Sequence, residues 1–223
     1  MVAISALACR AGDPRGMGMP LPGFGLRRWG MAKVYDRVMR NYEAWVGARR
    51  RDLLADASGT LLEIGPGTGV NFAYLPPGVR WIGLEPNRHM HAALEAKARE
   101  HGIDAMCHAV GADGIDVEDG SVDVVVSTLV LCSVPRPERT LKEIRRVLRP
   151  EGRLLFLEHV AAPCGSRIRR RQRLMRPIWR FCADGCTPDR ETDDLIRGAG
   201  FARVDLEAFD APSDAAPAFV SPH

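Results

Sequence analysis

The run Leu61-Leu62-Glu63-Ile64-Gly65-Pro66-Gly67-Thr68-Gly69 constrains this chain more than any other stretch. A short apolar segment ends in an acid and meets three glycines at alternate positions. The pattern predicts a buried strand entering a tight turn, where glycine permits positive φ and leaves bare backbone for a ligand. Open α/β sheets bind ligands at such turns, outside the carboxyl ends of their strands. The spacing is Gly-x-Gly-x-Gly, not the Gly-x-Gly-x-x-Gly of dinucleotide sites, and the Gly-Lys-Ser/Thr of a triphosphate loop is missing. A glycine-rich turn with no ligand would look the same, so the loop needs a second signal.

That signal is the next strand, Val79 to Glu85. Glu85 follows Gly65 by 20 residues, the separation at which a carboxylate reaches a ribose hydroxyl. Glu63, Gly65, Gly67, Gly69 and Glu85 together describe a pocket for a nucleoside without a pyrophosphate. On these residues the chain resembles the class I S-adenosylmethionine-dependent methyltransferases. The resemblance implies a doubly wound, mostly parallel α/β sheet with helices on both faces. It also implies S-adenosylmethionine as cofactor and S-adenosylhomocysteine as product. The cofactor-binding set expected from it is Glu63, Gly65, Gly67, Thr68, Gly69, Asn71, Glu85, Pro86, Asn87, Asp113, Thr128 and Leu129. Tyr35 joins the set, because many enzymes of this class carry a Tyr-Asp pair, here Tyr35-Asp36, that folds over the cofactor.

Composition excludes several alternatives. The 223 residues suit one domain with a full core. A net charge of +3 is too small to imply nucleic acid. The strand Gly120–Cys132 carries Ser127-Thr128-Leu129, without the acidic or Asn, Pro-Pro and aromatic residues of nucleobase amino methyltransferases. The six cysteines are scattered, which fits reduced thiols and a cytoplasmic protein. Cys182 and Cys186 lie four apart, but neither a second pair nor a nearby His supports zinc, so no metal is expected. No apolar window approaches the ~20 residues of a membrane span. The mildly apolar start lacks the basic residues of a signal peptide.

Taken in order, residues 1–50 read as a tail and cap helices, with a helical stripe from Trp29 to Val46. Residues 51–160 read as the cofactor-binding core. Within it, helices are expected from Asn71, from Asn87 to about His101 and from Pro137 to Leu148. Strands are expected at Asp104–Val110, Gly120–Cys132 and Arg153–Val160. The helix at Asn71 would turn free N–H groups toward the ligand's carboxylate. Asp113, at the end of the third strand, is the candidate for the adenine amino group. Residues 161–190 break the alternation as a lid-like insertion. Its arginines interleave with apolar residues over 167–179, which fits a solvated helix face, an acceptor lid or a peripheral membrane contact. Residues 191–223 read as a helix and a sixth strand, Phe201–Phe209, of the same domain.

A narrower resemblance lies in Thr128–Val134, Arg145–Pro150, Glu158-His159-Val160-Ala161, Asp184-Gly185-Cys186 and Arg190. These segments are similar to the small alkyl-thiol S-methyltransferases of animals. Those enzymes carry an apolar N-terminal membrane segment that this sequence lacks. They also continue past a Pro-His like Pro222-His223 into one more strand, so the last strand is expected to be missing and the fifth to show an open edge. The resemblance implies a small-molecule acceptor, a thiol first, with no nucleic-acid partner. A quinone-ring or natural-product C- or O-methyltransferase, a phospholipid N-methyltransferase and a cofactor-binding partner protein stand as alternatives. His159, at a strand end, is the candidate base near neutral pH, with Asp184 orienting it. Cys186 and Arg190 are candidates for the acceptor site, Arg190 for an anionic group. The sequence leaves the oligomeric state open.

Overall fold

The structure, a computed structural model, describes residues 24–210. Five strands form one parallel sheet: β1 (Thr60–Ile64), β2 (Arg80–Leu84), β3 (Met106–His108), β4 (Val122–Thr128) and β5 (Leu148–Leu157), in the order β3-β2-β1-β4-β5. Helices α1 (Phe24–Leu54), α2 (Arg88–Glu100), α3 (Pro137–Val147), α4 (Arg167–Cys182) and α5 (Thr192–Gly198) complete the α/β architecture expected from the sequence. The order reverses between β1 and β4, and such switch points open a crevice at the strands' carboxyl ends.

The central strands are apolar on both sides because both sides are covered. Alternate residues of each strand enter two half-cores. Leu61, Trp81, Val124, Val126, Leu155 and Leu157 pack with Val46, Leu53 and Leu54 of α1. Leu62, Ile64, Leu84, Val125, Leu154 and Phe156 pack with Leu141, Ile144 and Val147 of α3 and with Ile196. Asn87 caps α2 as expected, its side chain accepting from the His89 amide. The register sets Ile64 beside Leu84 and Ser127, and Thr128 beside Leu157. Gly65, Glu85, Leu129 and Glu158 therefore emerge along one edge of the sheet.

Four expectations are corrected. The helix expected at Asn71 is a five-residue 3-10 turn, Val70–Tyr74, entered through Gly69 at φ 82°. It is too short to offer a helical anion site. The third strand is reduced to Met106–His108. Leu148–Gly152, read as a helix end and a turn, belongs to β5, whose ladder shifts register between Val122 and Val124. Phe201–Phe209 does not join the sheet, and only Phe209 forms an isolated bridge. Val204 and Leu206 do pack on the core. Alternation brings them inward, but among the described residues no strand lies beside them to complete a ladder. The expected N-terminal tail and the residues after 210 lie outside the described residues.

Candidate active site

The site starts at the glycine turn. Gly65, Gly67 and Gly69 all take positive φ, 59°, 57° and 82°. A Cβ on Gly65 would stand 2.6 Å from Val130 Cγ2, so the turn closes only on glycine. The Glu85 carboxylate accepts from the Gly67 amide at 3.0 Å and the Asn87 amide at 2.7 Å. Pro86 is exposed at the bend between them. These bonds hold a buried acid beside bare loop backbone, an arrangement that fits the ribose end of S-adenosylmethionine.

Glu63 and Asn71 face the other way. Both are buried, and Glu63 accepts from Asn71 Nδ2 at 2.8 Å and from Trp81 Nε1 at 2.8 Å. Asn71 also donates to Thr128 Oγ1 and accepts from Arg50 Nη1 at 2.7 Å. Burial pushes the Glu63 carboxyl up, against the pull of the Trp81 and Asn71 bonds. This network ties α1, β1, the 3-10 turn and β4 together beneath the glycine turn. Asp113 is engaged by Arg136 at the start of α3.

Asp36 of α1 reaches the glycine turn. Asp36 accepts from Thr68 Oγ1 at 2.6 Å and pairs with Lys97 Nζ at 2.9 Å, joining α1, the glycine turn and α2. Burial pushes the Asp36 carboxyl up, but the bonds from Lys97 and Thr68 outweigh it and hold it below its usual range. The side chain of Tyr35 lies outside the described residues.

After β4 the chain turns at Leu129, a leucine at φ 62°, a conformation costing roughly 1–3 kcal/mol that surrounding contacts must hold. Glu158 supplies them. Fully buried at the end of β5, its carboxylate accepts from Ser127 Oγ at 2.6 Å, the Val130 and Leu131 amides at 2.9 Å each and the Cys132 amide at 3.4 Å. Burial pushes this carboxyl up while the Ser127 and amide bonds oppose it. Arg190 braces the same loop from the far side, donating to the Leu131 and Val134 carbonyls. Arg190 thus braces the loop through Nη1.

Three chemically active side chains converge there. Cys132 Sγ and Cys186 Sγ are 3.5 Å apart, and His159 Nδ1 lies 4.0 Å from the first and 3.7 Å from the second. Tyr42 of α1 packs edge-on against the His159 ring at 6.1 Å between centroids. His159 Nδ1 thus meets the two sulfurs. Asp184 adopts φ 42° in the turn after α4, and that turn brings Cys186 back to the sheet. Contact with Cys132 draws the Cys186 thiol down, while the same contact and burial push the Cys132 thiol up.

Sequence reasoning picked the strand end Glu158-His159 but missed what its acid does. The signal was present: a carboxylate inside an apolar strand must find donors, and the next loop supplies amides. Cys132 was missed because it reads as one more buried residue in an apolar run.

A profile for a methyltransferase domain matches residues 62–156. Human thiol S-methyltransferase TMT1B is 44% identical over 175 residues, 76% of this chain and 71% of the relative. Human thiol S-methyltransferase TMT1A is 40% identical over 182 residues, 77% of this chain and 75% of the relative. A crystal structure of an S-adenosylmethionine-dependent methyltransferase from Thermotoga maritima shares the fold, with a TM-score of 0.59 at 22% identity over 80% of this chain and 81% of that one. Glycine turn, buried Glu85 and switch-point crevice thus coincide with extended identity to enzymes that use this cofactor, and the chain belongs to the S-adenosylmethionine-dependent methyltransferases, in the family of the thiol S-methyltransferases TMT1A and TMT1B.

Proposed function

We propose that the chain transfers the methyl group of S-adenosylmethionine to the sulfur of a small thiol. The observation that carries this reading is the chemistry of the site beside the glycine turn. Glu158 is held by Ser127 Oγ and the loop amides, and Arg190 Nη1 by the loop carbonyls. What is left for an acceptor is one imidazole and two thiols. Such a site suits a nucleophile that ionises near neutral pH, as thiols do. Direct displacement from a sulfonium then needs chiefly alignment and exclusion of water. The identity to TMT1A and TMT1B supports the same acceptor class.

Residues 161–190 act as the lid. The Thr187 amide donates to the Cys132 carbonyl at 2.9 Å and ties the insertion to the site, while the Ala161 amide donating to the Arg190 carbonyl and the Ala162 amide donating to Gln172 Oε1, both at 2.9 Å, brace the insertion internally. The outer face of α4 exposes Leu174, Ile178 and Phe181 among Arg170, Arg171, Arg173 and Arg180. That combination suits a helix lying on an anionic membrane surface. Among the described residues, no helix is long and apolar enough to cross a membrane.

A labelled-methyl assay across thiols, phenols, quinones and phospholipids tests the acceptor. Thiols should turn over fastest. His159→Ala should lower that turnover by roughly 10²-fold or more with cofactor affinity nearly unchanged. Inert thiols beside a methylated phenol, quinone or lipid would move the assignment to that class, and no turnover on any panel would favour a binding-only role.

A further inference from the structure

We propose that Cys132, His159 and Cys186 form a three-ligand zinc site whose fourth position takes the sulfur of the methyl acceptor. The fourth ligand rests on the thiol reading above; the metal itself does not.

Geometry comes first. With Zn–S near 2.3 Å and Zn–N near 2.0 Å, a tetrahedral face has edges of about 3.8 Å between sulfurs and about 3.6 Å from sulfur to nitrogen. The observed triangle has edges of 3.5, 3.7 and 4.0 Å. Adjustments of a few tenths of an ångström would close it on an ion. Among the described residues this is the one cluster of three His, Cys, Asp or Glu side chains close enough to share a metal.

The ligands come from three separate segments, each fixed by other bonds. Glu158 holds the amides of the Cys132 loop and is the chain neighbour of His159. Arg190 ties the Leu131 and Val134 carbonyls, and the Thr187 amide ties the Cys132 carbonyl, to the segment carrying Cys186. Preformed support of this kind is what metal ligands need to hold their aim. Two thiolates and an imidazole select zinc over calcium or magnesium. Three protein ligands with an open corner is the arrangement of catalytic zinc, whereas structural sites close with four. Both cysteines are buried and His159 is half-buried, so the open side is at the imidazole.

A divalent ion here changes how the acceptor is activated. Cys132 and Cys186 release their thiol protons on binding zinc. The acceptor thiol releases its own to solvent as its sulfur takes the fourth position, since a coordinated thiol is deprotonated outright. A lone pair of that thiolate attacks the methyl carbon. The S–CH3 bond forms as the sulfonium C–S bond breaks, and its electron pair stays on the sulfur of S-adenosylhomocysteine. The neutral thioether is a poorer ligand and leaves. His159 acts as a ligand, and a free imidazole base is not required.

The test uses the full chain, purified reduced and without a chelating tag, with its zinc measured and then exchanged for cobalt. About one zinc per chain should resist mild chelation. The cobalt form should show tetrahedral absorption with thiolate charge-transfer bands. X-ray absorption at the zinc edge should give two sulfur scatterers and one nitrogen in the unmodified chain, whatever the variants do. Cys132→Ser and Cys186→Ser should each weaken metal binding by roughly 100-fold or more, while Cys164→Ser, exposed and outside the cluster, should not. Adding a small thiol without the cofactor should perturb the cobalt spectrum. A bound metal that ignores thiols would overturn the fourth-ligand assignment while leaving the site. Metal-free, reduced and active protein would overturn the site in favour of His159 as a free base. A Cys132–Cys186 disulfide in the active enzyme would overturn it in favour of a redox pair.

Discussion

The amide of Leu131 reaches across 27 residues of sequence to donate to the Glu158 carboxylate at 2.9 Å. That bond fastens the loop after β4 to the end of β5. Glu158→Gln exchanges one acceptor oxygen for an amino group facing backbone donors. Leaving a buried donor unsatisfied costs about 1–3 kcal/mol, and each kcal/mol lowers Tm by about 2–4 °C in a chain of this size. Thermal unfolding should show that loss, and an unchanged Tm would mean that the loop is held by other contacts.

The glycine turn should bind S-adenosylmethionine at micromolar concentration or tighter, about −8 kcal/mol. Gly65→Ala forces a Cβ to 2.6 Å from Val130, on a loop that Glu158 does not let move. Calorimetry should show affinity reduced by roughly tenfold or more, about 1.4 kcal/mol. Gly67→Val should abolish binding. Equal affinity in both variants would contradict this placement of the cofactor.

The Asp36 clamp should make cofactor affinity depend on acidity. Its carboxyl is held below its ordinary value, so its contribution is present in full above that value and fades as pH falls through the lowered one. Asp36→Asn should weaken cofactor binding near neutrality by up to about fivefold, the range of a solvent-screened pair. The two proteins should converge as the solution is acidified into the carboxylate range. A difference that persists in acid would assign the effect to shape, not to the ion pair with Lys97.

Vesicles test the outer face of α4. Co-sedimentation with anionic vesicles should be strong at low salt and weak at high salt. Ile178→Asp combined with Phe181→Asp should remove it without lowering turnover of a water-soluble thiol. Binding that survives both charges would exclude this face.

Much of the cofactor half was legible because it depends on local chemistry. Positive-φ glycines, an acid at the next strand end and Asn87 before a helix each declare themselves within a few residues. The acceptor half depends on juxtaposition. Cys132, His159 and Cys186 are far apart in sequence, and only the parallel pairing of β4 with β5 and the return of the chain after α4 bring them together. Glu63 and Asn71 show the same dependence. Their partners Arg50 and Trp81 lie on other elements, and no local pattern announces them. The sixth strand failed for a similar reason, since alternation reports which face is buried but does not supply a neighbouring strand.

The bonds from Glu158 also set a clock. Amides in a surface loop ordinarily exchange with solvent through small local openings, but those of Val130 and Leu131 are released only when Glu158 leaves the end of β5. They should exchange as slowly as the strands themselves. The loop after β4 and the end of β5 should therefore open together, on the timescale of global unfolding.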